Sequence, residues 1–124
     1  MIRIVGVQRN ISAQAEFVLL QNQGGLRLSL RGHVLMSDCT LDRQDGAQTI
    51  HIFRDDMMVA PGNYVILFTG SGEARWAKTK DQQLIFYTYM GREEPVWENC
   101  SGPLHVLCPH HTYAERREAI LLRS

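Results

Sequence analysis

Several absences bound what this chain can be. No apolar run in its 124 residues approaches the roughly 20 residues that a membrane-crossing helix needs. There is no excess of charge of either sign, because 13 Lys and Arg balance 13 Asp and Glu. A chain without net charge has no long-range attraction for nucleic acid or an anionic membrane, so any such contact must come from a local patch. Lysine is nearly missing: only Lys78 and Lys80 occur, and arginine carries the rest of the positive charge. Arginine suits two-pronged contacts to carboxylate or phosphate better than lysine does. Cysteine is scarce too. Cys39, Cys100 and Cys108 allow at most one internal disulfide, and an odd count without a secretion signal predicts reduced, buried thiols. The opening Met1-Ile-Arg-Ile-Val-Gly-Val7 lacks the continuous apolar core and small-residue cleavage site of a signal peptide. The expected location is therefore the cytoplasm for the chain as given, and it stays open if the chain is a piece cut from a longer protein.

What is present is scaffold. A 124-residue chain fits one domain, expected over residues 1–124, and can bury about two-thirds of its unfolded surface without metal or disulfide support. Apolar and polar residues alternate over Ile2–Val7, Leu26–Leu30 and Thr49–Phe53, the period of strands with one wet face. Glu16–Asn22, Asn63–Thr69 and Gln83–Met90 read as strands that are apolar on both faces, and Val34–Met36, Pro95–Trp97 and Leu104–Cys108 as shorter ones. Pro61-Gly62, Gly70-Ser-Gly72 and Asp45-Gly46 supply turn chemistry between them. Strands this short, with turns this frequent, predict an all-β sandwich. The C-terminal stretch is open between two forms. Thr112-Tyr-Ala-Glu115 fits a capping box ahead of a helix, whereas Ala119–Leu122 would also serve as a last edge strand.

The order of blocks is similar to one family. Glu16-Phe-Val-x-Leu-x-Asn22, then Leu28-x-Leu30-x-Gly32-x-x-Leu35, then Val59-Ala-Pro-Gly-Asn-Tyr-Val65, then Val96-Trp-Glu-Asn-Cys-Ser-Gly-Pro-Leu-His-Val-Leu107 together resemble the lamin tail domain over about residues 2–110. The resemblance implies an immunoglobulin-like β-sandwich, and a module that attaches to protein, nucleic acid or a surface rather than an enzyme. His33 stands where that family often has Trp, Gly102-Pro103 replaces its Gly-Asp pair, and Cys100 falls in its Asn-rich turn. No heptad repeat is present, so the chain is not a filament rod.

Each cluster of reactive residues has a plainer reading. His105, Cys108, His110 and His111 offer zinc-binding chemistry, but a zinc site needs four converging ligands. On a strand, His105 and Cys108 point to opposite faces. Solvated histidines at a strand end are expected instead, and a small metal- or thiol-dependent enzyme around His105–His111 is the alternative from another class. Cys100 or Cys108 as a nucleophile would need a partner base and an electropositive setting. Ser71 sits in a turn rather than a nucleophile elbow. Asp38, Asp42, Asp45 and Gly46 do not match a calcium loop, and Asp55-Asp56 and Glu93-Glu94 read as solvated charge. No catalytic residue, cofactor or metal is therefore expected. The segment Arg75-Trp-Ala-Lys-Thr-Lys80 joins cations to an aromatic ring, as single-strand nucleic-acid binders do, and its plainer reading is a soluble loop with Trp76 folded back onto the sandwich. The strongest lead is the second apolar face. A sandwich buries one face of each strand, which leaves Phe17, Leu19, Tyr64, Ile66, Phe68, Tyr87 and Tyr89 to meet something else. That something is expected to be a protein partner, a second copy of the chain, or residues 113–122.

Overall fold

The computed structural model describes residues 1–41, 49–100 and 102–109. Ten strands are present among them: β1 (Ile2–Gln8), β2 (Phe17–Asn22), β3 (Leu28–Ser29), β4 (Val34–Ser37), β5 (Ile50–Ile52), β6 (Met58–Val59), β7 (Tyr64–Phe68), β8 (Arg75–Lys78), β9 (Leu84–Tyr89) and β10 (Leu104–Leu107). One 3-10 turn, Asp38–Leu41, interrupts them. No helix of the described residues is long and apolar enough to cross a membrane. Strands β1-β2-β7-β9-β8 form one sheet, β10-β4-β5 a second, and β3-β6 a two-stranded ribbon. All pairings are antiparallel except β7 with β9.

Period-2 alternation decides which side chains meet. From the large sheet, Ile2, Val18, Leu20, Val65, Leu67 and Phe86 point inward. Leu30, Leu35, Phe53, Val59, Val96 and Trp97 close over them, and the set forms one buried cluster. The fold is thus an all-β sandwich with its core between sheets. Each Leu- or Val-sized side chain buried there contributes on the order of 1.5–3 kcal/mol before entropy is charged against it. A register shift between Ile4 and Gly6 marks a bulge in β1 and leaves Val5 exposed. That strand runs beside β10. At the opposite edge of the large sheet, β8 presents exposed Arg75 and Lys78, and charge of this kind discourages edge-to-edge association.

Three expected elements come out differently. Leu26–Leu30 does not run as a five-residue strand: only Leu28–Ser29 pairs, with β6, while Leu26 is 76% exposed. Alternation alone cannot supply a pairing partner, and the ribbon partner here is two residues long. Pro95–Trp97 is irregular chain rather than strand, because its Val96 and Trp97 amides donate to a side chain, as described below. Arg75–Lys78 is a paired edge strand, not a free loop. The Asp45-Gly46 turn, Asp42, His110, His111 and the 113–122 segment lie outside the described residues.

Candidate functional site: the outer face of the large sheet

Strand register places the seven residues expected at an interface on one face. Phe17 of β2 pairs with Phe68 of β7, and Phe68 with Tyr89 of β9. One step along, Leu19 pairs with Ile66, Ile66 with Tyr87, and Tyr87 with Arg75 of β8. A third row runs from Gln21 through Tyr64 to Ile85. These rows lie on the side of the sheet away from the core. The rings touch across the strands, with centroids 5.6 Å apart for Phe17 and Phe68, 6.1 Å for Phe68 and Tyr87, and 5.6 Å for Phe68 and Tyr89. The Arg75 guanidinium caps the row from 4.0 Å above the Tyr87 ring. Cross-strand aromatic pairs of this geometry contribute about 0.5–1 kcal/mol each. The residues are half-buried, and Ile66 at the centre is only 9% exposed.

The loop after β7 closes one end of this face. A Cβ built on Gly72 would collide with the Tyr89 ring. Gly72→Ala is therefore expected to push that ring aside, at a cost of about 1–3 kcal/mol. Thermal denaturation reads the cost, and the Tyr89 ring resonances report the displacement.

Behind the face, β2 is fixed at both ends by buried polar side chains. Asn22 donates from Nδ2 to the carbonyls of Leu26 and Val59, both at 2.8 Å, and accepts from the Gly24 amide at 3.0 Å. Glu16 is wholly buried. Its Oε1 accepts from the Thr69 hydroxyl at 2.7 Å, the Val96 amide at 2.8 Å and the Trp97 amide at 2.9 Å. Arg9 completes the clamp on the irregular segment, donating to the carbonyls of Trp97 (3.1 Å), Cys100 (3.0 Å) and Gly102 (2.9 Å). Cys100 is then tied to Cys39 by a disulfide, with the Cα atoms 6.2 Å apart, inside the span such a bond requires. This corrects the expectation of reduced thiols. Counting cysteines could not reveal that the 3-10 turn carries Cys39 to the clamped segment. Cys108 alone is a free thiol, and it is partly buried.

The other candidate clusters separate. His105 turns outward to Asp38, with Nε2 2.5 Å from Oδ1 and both side chains about half exposed. Cys108 turns instead toward the Ile2 carbonyl. The structure does not bring His105 and Cys108 together, and Cys100 is spent in the disulfide. In the Arg75–Lys80 stretch, Trp76 faces inward against Phe86 with centroids 5.1 Å apart, and Arg75 is engaged by Tyr87. Lys78 and Lys80 are exposed.

Two features are not apparent from residue counting. Ile52 and Leu107 are each about half exposed, at 51% and 52%, and line up through Val34 on the outside of the small sheet. His51, between Ile50 and Ile52 in sequence, faces inward. The alternation Thr49-Ile-His-Ile-Phe53 is the signal for it, since it puts His51 on the same side as buried Thr49 and Phe53.

Fold and face together define a β-sandwich with a cross-strand aromatic row on its outside. Compared with known proteins, the chain matches no family model, no curated sequence and no solved structure.

Proposed function

We propose that the protein is a non-catalytic interaction or attachment module, immunoglobulin-like and resembling the lamin tail domain, whose outer sheet face meets a protein partner or a second copy of the chain. The observation that carries this reading is the continuity of Phe17, Leu19, Tyr64, Ile66, Phe68, Tyr87 and Tyr89 across three adjacent strands, on the side away from the core. Contiguous apolar surface of this kind is where soluble domains meet partners. Tyrosine-rich, half-buried surface gives contact area at low cost in side-chain entropy. The block order from Glu16 to Leu107 supports the same class. Nucleic acid is the less favoured partner, since the ring and the arginine that would grip it are both occupied within the domain. The enzyme alternative has the divergence of His105 and Cys108 against it. The Cys39–Cys100 link favours an oxidising compartment over the cytoplasm.

Light scattering across a micromolar concentration series, run beside binding of an apolar dye, tests the proposal. Association or saturable dye binding is the expected result. A protein that stays strictly monomeric and binds no dye contradicts it.

A further inference from the structure

The rows of the outer face extend onto the edge strands, and the charge lies there. In β1, Gln8 stands opposite Phe17, Gly6 opposite Leu19 and Arg3 opposite Gln21. In β8, Arg75 stands opposite Tyr87 and Ala77 opposite Ile85. Directly opposed residues share a face, so the outer face is a grid of three rows laid over the sheet. No position of the grid is acidic. Glu16, the carboxylate just before Phe17, is buried, and Glu73, Asp81 and Glu93 lie in loops beyond the strand ends. The charges in the grid are Arg3 and Arg75, both exposed and on opposite edges of the sheet. The width of the sheet separates them, about 20 Å at ordinary strand spacing. Neither has a carboxylate partner among the described residues. Arg3 Nε donates to the Met1 sulphur at 2.9 Å, and Arg75 lies over the Tyr87 ring.

We infer that the partner of this face is an acidic protein segment, with apolar side chains over Leu19, Ile66, Phe68 and Tyr87 and with flanking carboxylates about 20 Å apart that meet Arg3 and Arg75. This rests on the outer face being the interaction surface, and it names the chemistry of what binds there. Charge complementarity selects the partner. Stacking on Tyr87 engages the flat side of the Arg75 guanidinium, whereas a carboxylate is taken by the in-plane N–H groups. A second copy of the chain fits worse. The face holds no carboxylate, so pairing it with itself brings the arginines no counter-charge, whichever way the copies turn. A charge desolvated without one is costly. A nucleic-acid strand also fits worse. Its phosphates between the two edges would lie over Phe68, Ile66 and Leu19, where no cation meets them, and a groove that tracks a phosphate backbone is positive along its length. The chain as a whole carries no net charge, so the acidic preference belongs to this face rather than to long-range attraction.

The test is selection from a display library of random peptides about 16 residues long, enough to cross the face as helix or as extended chain, with the folded full chain as bait. Enriched peptides are expected to combine a Leu-, Phe- or Trp-rich centre with flanking Asp or Glu. A synthetic peptide of the consensus sequence is expected to bind Leu19→Asp about tenfold or more weakly than the wild type. Arg3→Ala and Arg75→Ala are each expected to weaken it about two- to fivefold, mostly through a slower and less salt-dependent association rate. The double variant Arg3→Glu with Arg75→Glu changes exposed positions only, and is expected to prefer the same peptide with Lys in place of its Asp and Glu. Arg54→Glu, at an exposed arginine just past β5 in the other sheet, is expected to change nothing. Peptides that depend on Leu19 but show no acidic bias overturn the inference and leave the outer face an interaction surface. It is also overturned if an oligonucleotide binds this face more tightly than the acidic peptide, or if self-association that Leu19→Asp abolishes survives excess peptide. The absence of any enriched peptide that depends on Leu19, the result that cover by residues 113–122 would give, overturns it as well.

Discussion

Glu16→Ala is expected to destabilise the domain by about 3–5 kcal/mol, the range for stripping the charged partner from buried donors. The truncation leaves the Thr69 hydroxyl and the Val96 and Trp97 amides in a dry site with nothing to accept them. It also releases the segment that seats Trp97, the largest fully buried side chain of the core. A loss of this size is comparable with the whole stability of a small domain, so the alanine variant is expected to be largely unfolded at room temperature. Glu16→Gln separates the two roles of the side chain. An amide oxygen in the place of Oε1 keeps the three bonds, and only the weaker contact of Oε2 with the Asn10 amide, at 3.5 Å, is reversed in polarity. Urea denaturation of both variants checks this. The glutamine form is expected to retain most of the wild-type midpoint and the alanine form to lose it. Equal losses in the two would show that charge, rather than acceptance of those hydrogen bonds, holds the segment.

Reduction of Cys39–Cys100 is the second large effect. The bond spans 61 residues of sequence, and closing a loop of that length restricts the unfolded chain by about 4 kcal/mol. Cys39→Ser and Cys100→Ser are each expected to lower the denaturation midpoint, and reductant is expected to lower the wild type to about the level of Cys39→Ser while leaving the variants alone. Cys100→Ser is expected to be the worse of the two. Cys100 is 1% exposed, and its backbone carbonyl is held by Arg9, so a serine hydroxyl there sits inside the clamp. The Arg9 and Glu16 contacts remain after reduction, so the chain from Val96 to Cys100 is expected to loosen without detaching. Non-reducing electrophoresis beside the denaturation curves confirms which thiols were linked.

Strand propensity and alternation made the sandwich legible. Phe17–Asn22, Tyr64–Phe68 and Leu84–Tyr89 carry enough β-branched and aromatic residues that local sequence and tertiary pairing agree. Their two-sided apolarity also pointed to the outer face, and strand pairing then set its rows. Chain segments shaped by distant partners were not legible. Nothing within Pro95–Trp97 says that its amides will be taken by a carboxylate 80 residues away. Nothing near Arg75 says that it will pair with the far side of β9 and fold over Tyr87. The same holds for the disulfide, which depends on the 3-10 turn that follows β4. His51 was legible in parity, as an inward position on a short strand.

Paired charge substitutions ask whether the outer face of the large sheet is the working surface. Leu19→Asp places a carboxylate in the middle row of that face, beside Ile66. Ile52→Asp places one on the outside of the small sheet, at a position already half exposed. Sedimentation velocity of both, with circular dichroism to confirm folding, compares the two faces against the wild type. Leu19→Asp, still folded, is expected to lose the association or dye binding of the wild type by about tenfold or more, as loss of a central apolar contact does at an interface, while Ile52→Asp keeps it. Association that survives Leu19→Asp but disappears with Ile52→Asp would move the working surface to the small sheet.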